Sequence, residues 1–270
     1  MEPKILNSLE PELYTHPLEI GAREKLLNTK GLKTVVNKFK ELGFEERMLL
    51  QYKANSIKVT SHTLSHLHYL KEKVAATLNI SQPIDLYIQR SDQLEGLSVG
   101  VDNPIIILPS DAIDTLSYQE LLFLMGREMT HIDHQHTLYK EIGFIFPELM
   151  DAFSVVTLGI SSLVGSGLKY ALFNWDRMTE FTADRGGLLA CQEPNIVLRL
   201  FAKLAGWPRS EWGNITIEEF KHQVNSFESG KQKTYDKVIH YMLGNNNWAI
   251  ARAQELVAWI DKGSYQKLIG

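Results

Sequence analysis

The stretch from Ser117 to His136, SYQELLFLMGREMTHIDHQH, limits the folds open to this chain more than any other. Its first four residues, Ser117-Tyr118-Gln119-Glu120, have the form of a capping box, in which the serine hydroxyl and the glutamate carboxylate each satisfy a free backbone donor at a helix start. The turns that follow, Leu121 to Met125, are apolar on every side, so the helix is predicted to lie buried among other elements. It then presents Arg127, Glu128 and His131, polar groups that are costly in an apolar interior unless they are paired. The fold therefore has to bring complementary charge to this helix from another part of the chain.

A second segment, Trp175 to Gly187 (WDRMTEFTADRGG), meets that need. It falls in a helix predicted from about Lys169 to Cys191, on which Arg177, Glu180 and Asp184 recur at i, i+3 and i+7 and so share one face. In the pattern His-Glu-x-x-His, two imidazoles four residues apart grip zinc and the adjacent glutamate activates the metal-bound water. Here the pattern is Arg127-Glu128-Met129-Thr130-His131, with the base and the second ligand in place and an arginine where the first ligand belongs. Glu180 is then a candidate third ligand, and Asp184 a candidate to orient an imidazole from behind.

The rest of the chain reads as helices around one small sheet. Residues 17–52 are predicted helical, interrupted at Lys30-Gly31, and 64–78 are helical again. Strands are predicted at 56–60, 84–90, 95–101 and 104–109, with Asp102-Asn103 turning between the last two, giving a small antiparallel sheet. Thr216 caps a later helix. The fold class is α+β, helix-rich, as one domain over 1–270: an N-terminal helical region (1–55), sheet and helix (56–110), the two central helices (117–192) and C-terminal helices (193–270). A chain of 270 residues with net charge −4 offers no basic field for nucleic acid, and a single cysteine, Cys191, excludes an internal disulfide and suits a reducing, cytoplasmic setting. The N-terminus has no apolar run of signal-peptide length. Residues 152–168 carry no charge but are rich in Ser and Gly and shorter than the roughly 20 apolar residues of a span, so they are expected to form a buried helix-loop-helix or to lie against a membrane or partner.

The segments YQELLFLMGREMTHIDHQH and WDRMTEFTADRGGLLAC resemble the zinc metallopeptidases of family M48, the HtpX and CAAX prenyl protease type. PIIILPSDAIDTLSYQEL looks like the family's strand and entry to its active-site helix, and ARAQELVAWIDKGSY like its closing helix. The resemblance implies a zincin-like (gluzincin) fold with the sheet packed on the active-site helix, located inside the cell or at a membrane, and peptide-bond hydrolysis. It assigns Glu128 as general base, His131 and Glu180 as zinc ligands, and His136 and Asp184 as their supports. Three departures fall on the chemistry: Arg127 for histidine, Glu95-Gly96 for an Asn-Ala on the substrate-binding edge strand, and Asn246-Asn247 for a His-Pro before the last helix.

An arginine is always protonated and has no lone pair for zinc. The expected arrangement places its guanidinium in the metal's position, forked onto Glu180 or Glu128, with Arg177 nearby on the same helix face as Glu180. No cofactor is then expected, and the chain acts as a non-catalytic protein that binds a peptide or protein partner along its edge strand. The alternative is a working zinc endopeptidase with a weak or displaced site, in which His134 joins His131 and Glu180. HIDHQH otherwise reads as a solvated helix end, and His62, His66 and His68 as surface residues of an amphipathic helix.

Overall fold

The computed structural model describes residues 2–147, 149, 162–227 and 248–270. A 3-10 turn at Pro11–Leu13 leads into α1 (Pro17–Leu27), which begins where proline needs no amide partner and where the His16 ring accepts from the Leu18 amide at 3.2 Å. Then come α2 (Leu32–Glu41), α3 (Phe44–Ala54), β1 (Ser56–Lys58), α4 (Ser65–Thr77), β2 (Asp85–Gln89), β3 (Leu97–Val99) and β4 (Ile105–Pro109). The single helix expected over 32–52 is two, because Gly43 takes a left-handed φ of 62° between them, a conformation open to a residue without Cβ.

The sheet order is β1-β2-β4-β3. β1 runs antiparallel to β2 and β3 antiparallel to β4, but β2 and β4 are parallel, with Tyr87 opposite Ile107, which corrects the all-antiparallel expectation. The 90–96 connection carries the chain to the far edge, and β4 folds back between β3 and β2. That leaves β3 as an edge strand. β4, in the middle, is buried throughout. Its side chains alternate between faces: Ile106 and Leu108 enter one apolar cluster with Leu122 and Phe123, and Ile105 and Ile107 enter another with Phe39 and Trp175.

After the short α5 (Ser110–Thr115) comes α6 (Tyr118–Asp133), whose capping box is formed as expected: Glu120 Oε2 accepts from the Ser117 amide at 2.8 Å. Every residue from Glu120 to Ile132 is buried. α6 packs on β3 and β4 and crosses α8 (Ser162–Cys191); α7 (Thr137–Phe144) joins them. The chain ends in α9 (Pro194–Leu204), a 3-10 turn (Arg209–Asn214), α10 (Ile217–Ser226), α11 (Ala249–Asp261) and α12 (Ser264–Ile269). Thr216 stands at the start of α10 without a side-chain cap. Of the uncharged 152–168 stretch, 152–161 lie outside the described residues, as do Asn246 and Asn247. Among the described residues no helix is long and apolar enough to cross a membrane.

HIDHQH is not a solvated end. His131, His134 and His136 are all buried, because α1 and the N-terminal segment close over the end of α6. His62, just before α4, and His66 are exposed and His68 is half-buried.

What sets the distance between α6 and α8 is glycine. A Cβ at Gly187 would come within 2.7 Å of the Phe123 ring, and one at Gly186 would overlap the Thr130 side chain. Replacing Gly186 with alanine is expected to push the helices apart and lower stability by about 2 kcal/mol or more in urea unfolding, the range for overpacked cores; an unchanged midpoint would show that the contact has slack.

Candidate functional site

The glycine contact brings one face of α6 against one face of α8 and so sets Arg127 opposite Glu180 and Asp184. Arg127 is only 3% exposed. Its Nη2 donates to Glu180 Oε2 at 2.5 Å, its Nη1 pairs with Asp184, and Glu95 Oε1 stands 3.7 Å from Nη2. The fork thus runs to Glu180 and Asp184, not to Glu128. Glu128 is the next residue on the helix and projects about 100° around the axis from Arg127.

Two cations that the sequence reading did not select complete this cluster. Arg252, on α11, donates from Nε to Asp184 Oδ2 at 2.9 Å, from Nη2 to Asp184 Oδ1 at 2.7 Å and from Nη1 to Glu95 Oε1 at 2.7 Å. Lys140, on α7, donates to Glu180 Oε1 and to Asp176, each at 2.8 Å. The available signals were an arginine interrupting the apolar run of α11 and a lysine one turn beyond the His131 helix. Asp184, expected behind an imidazole, is instead clamped between two guanidiniums. Burial alone would raise the Glu180 pKa, but Lys140 and then Arg127 hold it well below the usual carboxylate range. Burial opposes the charge on Arg127, and so does Arg252, yet Asp184 and Glu180 keep its pKa above the ordinary arginine value.

Glu128 is buried outside this network, and burial pushes its carboxyl up to about 7 although Arg127 pulls the other way. His131 is held neutral by burial. Its Nδ1 is 2.9 Å from His136 Nδ1, and His136 Nε2 is 2.8 Å from Glu19 Oε1, on α1. The proton positions follow from the end of the chain. The Glu19 carboxylate, whose pKa is lowered despite burial, accepts from His136 Nε2–H. Neutral His136 then accepts at Nδ1 from His131, which leaves the lone pair of His131 on Nε2, 3.5 Å from Glu180 Oε1. His134 points elsewhere: Nδ1 meets the Thr130 carbonyl and Nε2 meets Pro11 O and Thr15 Oγ1, so it is not brought together with His131 and Glu180.

These groups line a cleft of about 440 Å³. Gly96, Leu97 and Ser98 form one wall, with Arg177 and Trp248 on others. Glu95 and Gly96 lie just before β3, and Gly96 touches the central strand so closely that a Cβ there would come within 2.8 Å of Leu108.

The donor set does not fit zinc. Of the three family ligand positions, Arg127 can only donate, both oxygens of Glu180 are engaged by cations, and His131 alone keeps a lone pair toward the cleft. Among the described residues no group of three His, Cys, Asp or Glu side chains is placed to hold a metal ion.

A buried helix carrying Glu128 and His131, crossed by one carrying Glu180 and flanked by an edge strand, defines the class: a zincin-like metallopeptidase fold. Residues 61–230 match peptidase family M48, and the chain belongs to that family. It is also similar to the plastoglobule-localized metallopeptidase 48, chloroplastic, of Arabidopsis thaliana, at 25% identity over 272 residues that cover 99% of this chain and 78% of that protein. No solved structure matches the chain.

Arg127→Ala leaves Glu180 Oε2 without its donor and removes one of the two guanidiniums on Asp184. Chemical denaturation should show a loss of about 3 kcal/mol, as for a broken buried ion pair; a change within about 0.5 kcal/mol, typical of surface positions, would remove the pairing from the account.

Glu128 gives a pH signature. Its folded pKa, about 7, lies above the unfolded value of 4.5, so the native state binds more protons between those limits and stability falls as pH rises through them. Glu128→Gln abolishes this loss. The variant's stability relative to the parent should therefore climb by about 3 kcal/mol from pH 4.5 to 7 and level off above; a pH-independent difference would mean that Glu128 titrates normally.

Proposed function

We propose that this M48 protein is a pseudopeptidase, in which an internal ion-pair network takes the place of the metal and the cleft holds a peptide or protein segment without cutting it. The observation that carries the reading is the Arg127 guanidinium held between Glu180 and Asp184. A guanidinium at that position supplies positive charge where the family's zinc would supply it, and repels a divalent ion brought within a few ångströms. With no metal-bound water to activate, Glu128 has no nucleophile to generate, and burial, which pushes its carboxyl up to about 7, favours its protonated form in the wall of the cleft.

Partner binding rests on the edge strand. Among the described residues β3 pairs with β4 on one side only and lines the cleft on the other, so an extended segment can add to the sheet through main-chain hydrogen bonds. Glu95, held by Arg252, sits at the entrance to that edge and biases it against acidic segments at that point. The low net charge and the single cysteine support a cytoplasmic protein whose partner is a polypeptide and not a nucleic acid. The similarity to a metallopeptidase from a chloroplast supports the ancestry of the cleft, and the substitution at position 127 supports its change of use.

The test is metal analysis of the purified protein after extensive dialysis, run beside Arg127→His. The parent should retain zinc far below one equivalent. The variant should gain it, because the Glu19–His136–His131 chain already holds a lone pair toward the vacated space. Stoichiometric zinc in the parent, together with peptide cleavage abolished by Glu128→Gln, would overturn the reading.

A further inference from the structure

The edge strand β3 is held at its C-terminal end by two carboxylates that arrive from different helices. The Gly100 amide donates to Glu141 Oε1, on α7, at 2.5 Å, and the next amide, that of Val101, donates to Glu45 Oε1, on α3, at 2.8 Å. The ladder with β4 ends at Val99, opposite Ile105, so these two side chains take over where the sheet stops. The turn beyond is tight. Gly100 takes a φ of 95°, and a Cβ there would come within 3.1 Å of the Asn103 carbonyl oxygen.

The two carboxylates differ in their surroundings. Glu45 is half-buried, whereas Glu141 is 3% exposed. Among the described residues Glu141 Oε2 has no hydrogen-bond partner and no cation pairs with the carboxyl. The titratable groups around it are Glu45 and Tyr52, both from α3, and the turn offers only amides. α2 and α8, which also pack on α7, direct no charge at it among the described residues, and its neighbour Lys140 is turned into the cleft toward Glu180 and Asp176. An ionised carboxylate there has lost its water and faces a like charge, with one amide to offset both. Burial accordingly pushes the Glu141 carboxyl up to about 7 despite the Gly100 amide, and Glu45 adds to the effect.

We propose that Glu141 is a pH-sensitive latch on β3: neutral, it holds the Gly100 amide inside the fold, and ionised, it moves toward water and frees the end of the strand. The neutral carboxyl keeps a carbonyl oxygen for Gly100 and buries no charge. The closed position binds the proton more tightly than a solvated carboxyl does, so rising pH favours release until both positions are ionised. The opening is local, because Glu45 keeps Val101 and the ladder of β3 with β4 is untouched. For partner binding the consequence rests on the reading of β3 as the edge to which a segment adds: that edge is firm in mild acid and loose above neutrality.

Amide hydrogen exchange of the full chain, followed by NMR and corrected for the intrinsic rate at each pH, tests the latch with neither partner nor metal, so its failure is distinct from failure of the pseudopeptidase reading. The comparison is with Glu141→Gln, whose amide keeps an acceptor for Gly100 and cannot ionise. With a closed-position pKa of about 7 against 4.5 in water, protection of Gly100 in the parent, relative to that variant, should fall about tenfold from about pH 6 to about pH 8. Gly100 should also exchange faster than Ile106, in the buried middle of the sheet, at every pH, since release leaves the ladder closed. A parent-to-variant ratio that does not change with pH, or Gly100 exchanging no faster than Ile106, would refute the latch.

Discussion

Arg127 cannot shed its proton, and 3% exposure denies it water, so every element around it is constrained to deliver negative charge. α8 delivers Glu180 and Asp184, and the loop before β3 delivers Glu95. Those carboxylates in turn need more cation than one guanidinium supplies, and α11 and α7 bring Arg252 and Lys140. The result is a closed chain of charge in which no member can be removed without exposing another. It ties five parts of the fold together at one point, the cleft where a member of this family would be expected to hold its metal.

The two sides of the cleft differ. The side that faces α8 is built around guanidinium. The side that faces α1 has kept its hydrogen-bond chain from Glu19 through His136 to His131, and with it an imidazole lone pair directed at the cleft. A stability argument explains the retention without invoking activity. His136 and Glu19 are buried and satisfy each other, so losing either would strand its partner, whereas the lone pair of His131 faces open cleft and needs none.

Much of this was legible in the chain. The capping box, the buried face of α6 and the i, i+3, i+7 spacing on α8 each state a local rule with one solution, and together they place Arg127 against Glu180 before any coordinates exist. Three features were not legible. The parallel pairing of β2 and β4 depends on where β3 goes, which alternation of apolar residues does not encode. Arg252 lies 125 positions from Arg127, and nothing in its helix says which acid it serves. The burial of HIDHQH depends on the N-terminal segment folding back over it, and a run of polar residues after a helix reads as solvated whenever that cover cannot be foreseen.

Glu128 shows why position, and not the sum of charge nearby, governs this site. Arg127, Lys140 and Arg252 all stand around the cleft, yet its carboxyl is pushed up to about 7, while Glu180, also buried, is pulled well below 4.5. The difference is that each cation is already committed by direct hydrogen bonds: Lys140 and Arg127 to Glu180, and Arg252 to Asp184 and Glu95. A carboxyl one step around the helix receives their field but none of their protons, and at that distance desolvation wins. The guanidinium that pairs Glu180 and Asp184 therefore pulls only weakly on Glu128, and burial, not charge, sets the state of that carboxyl.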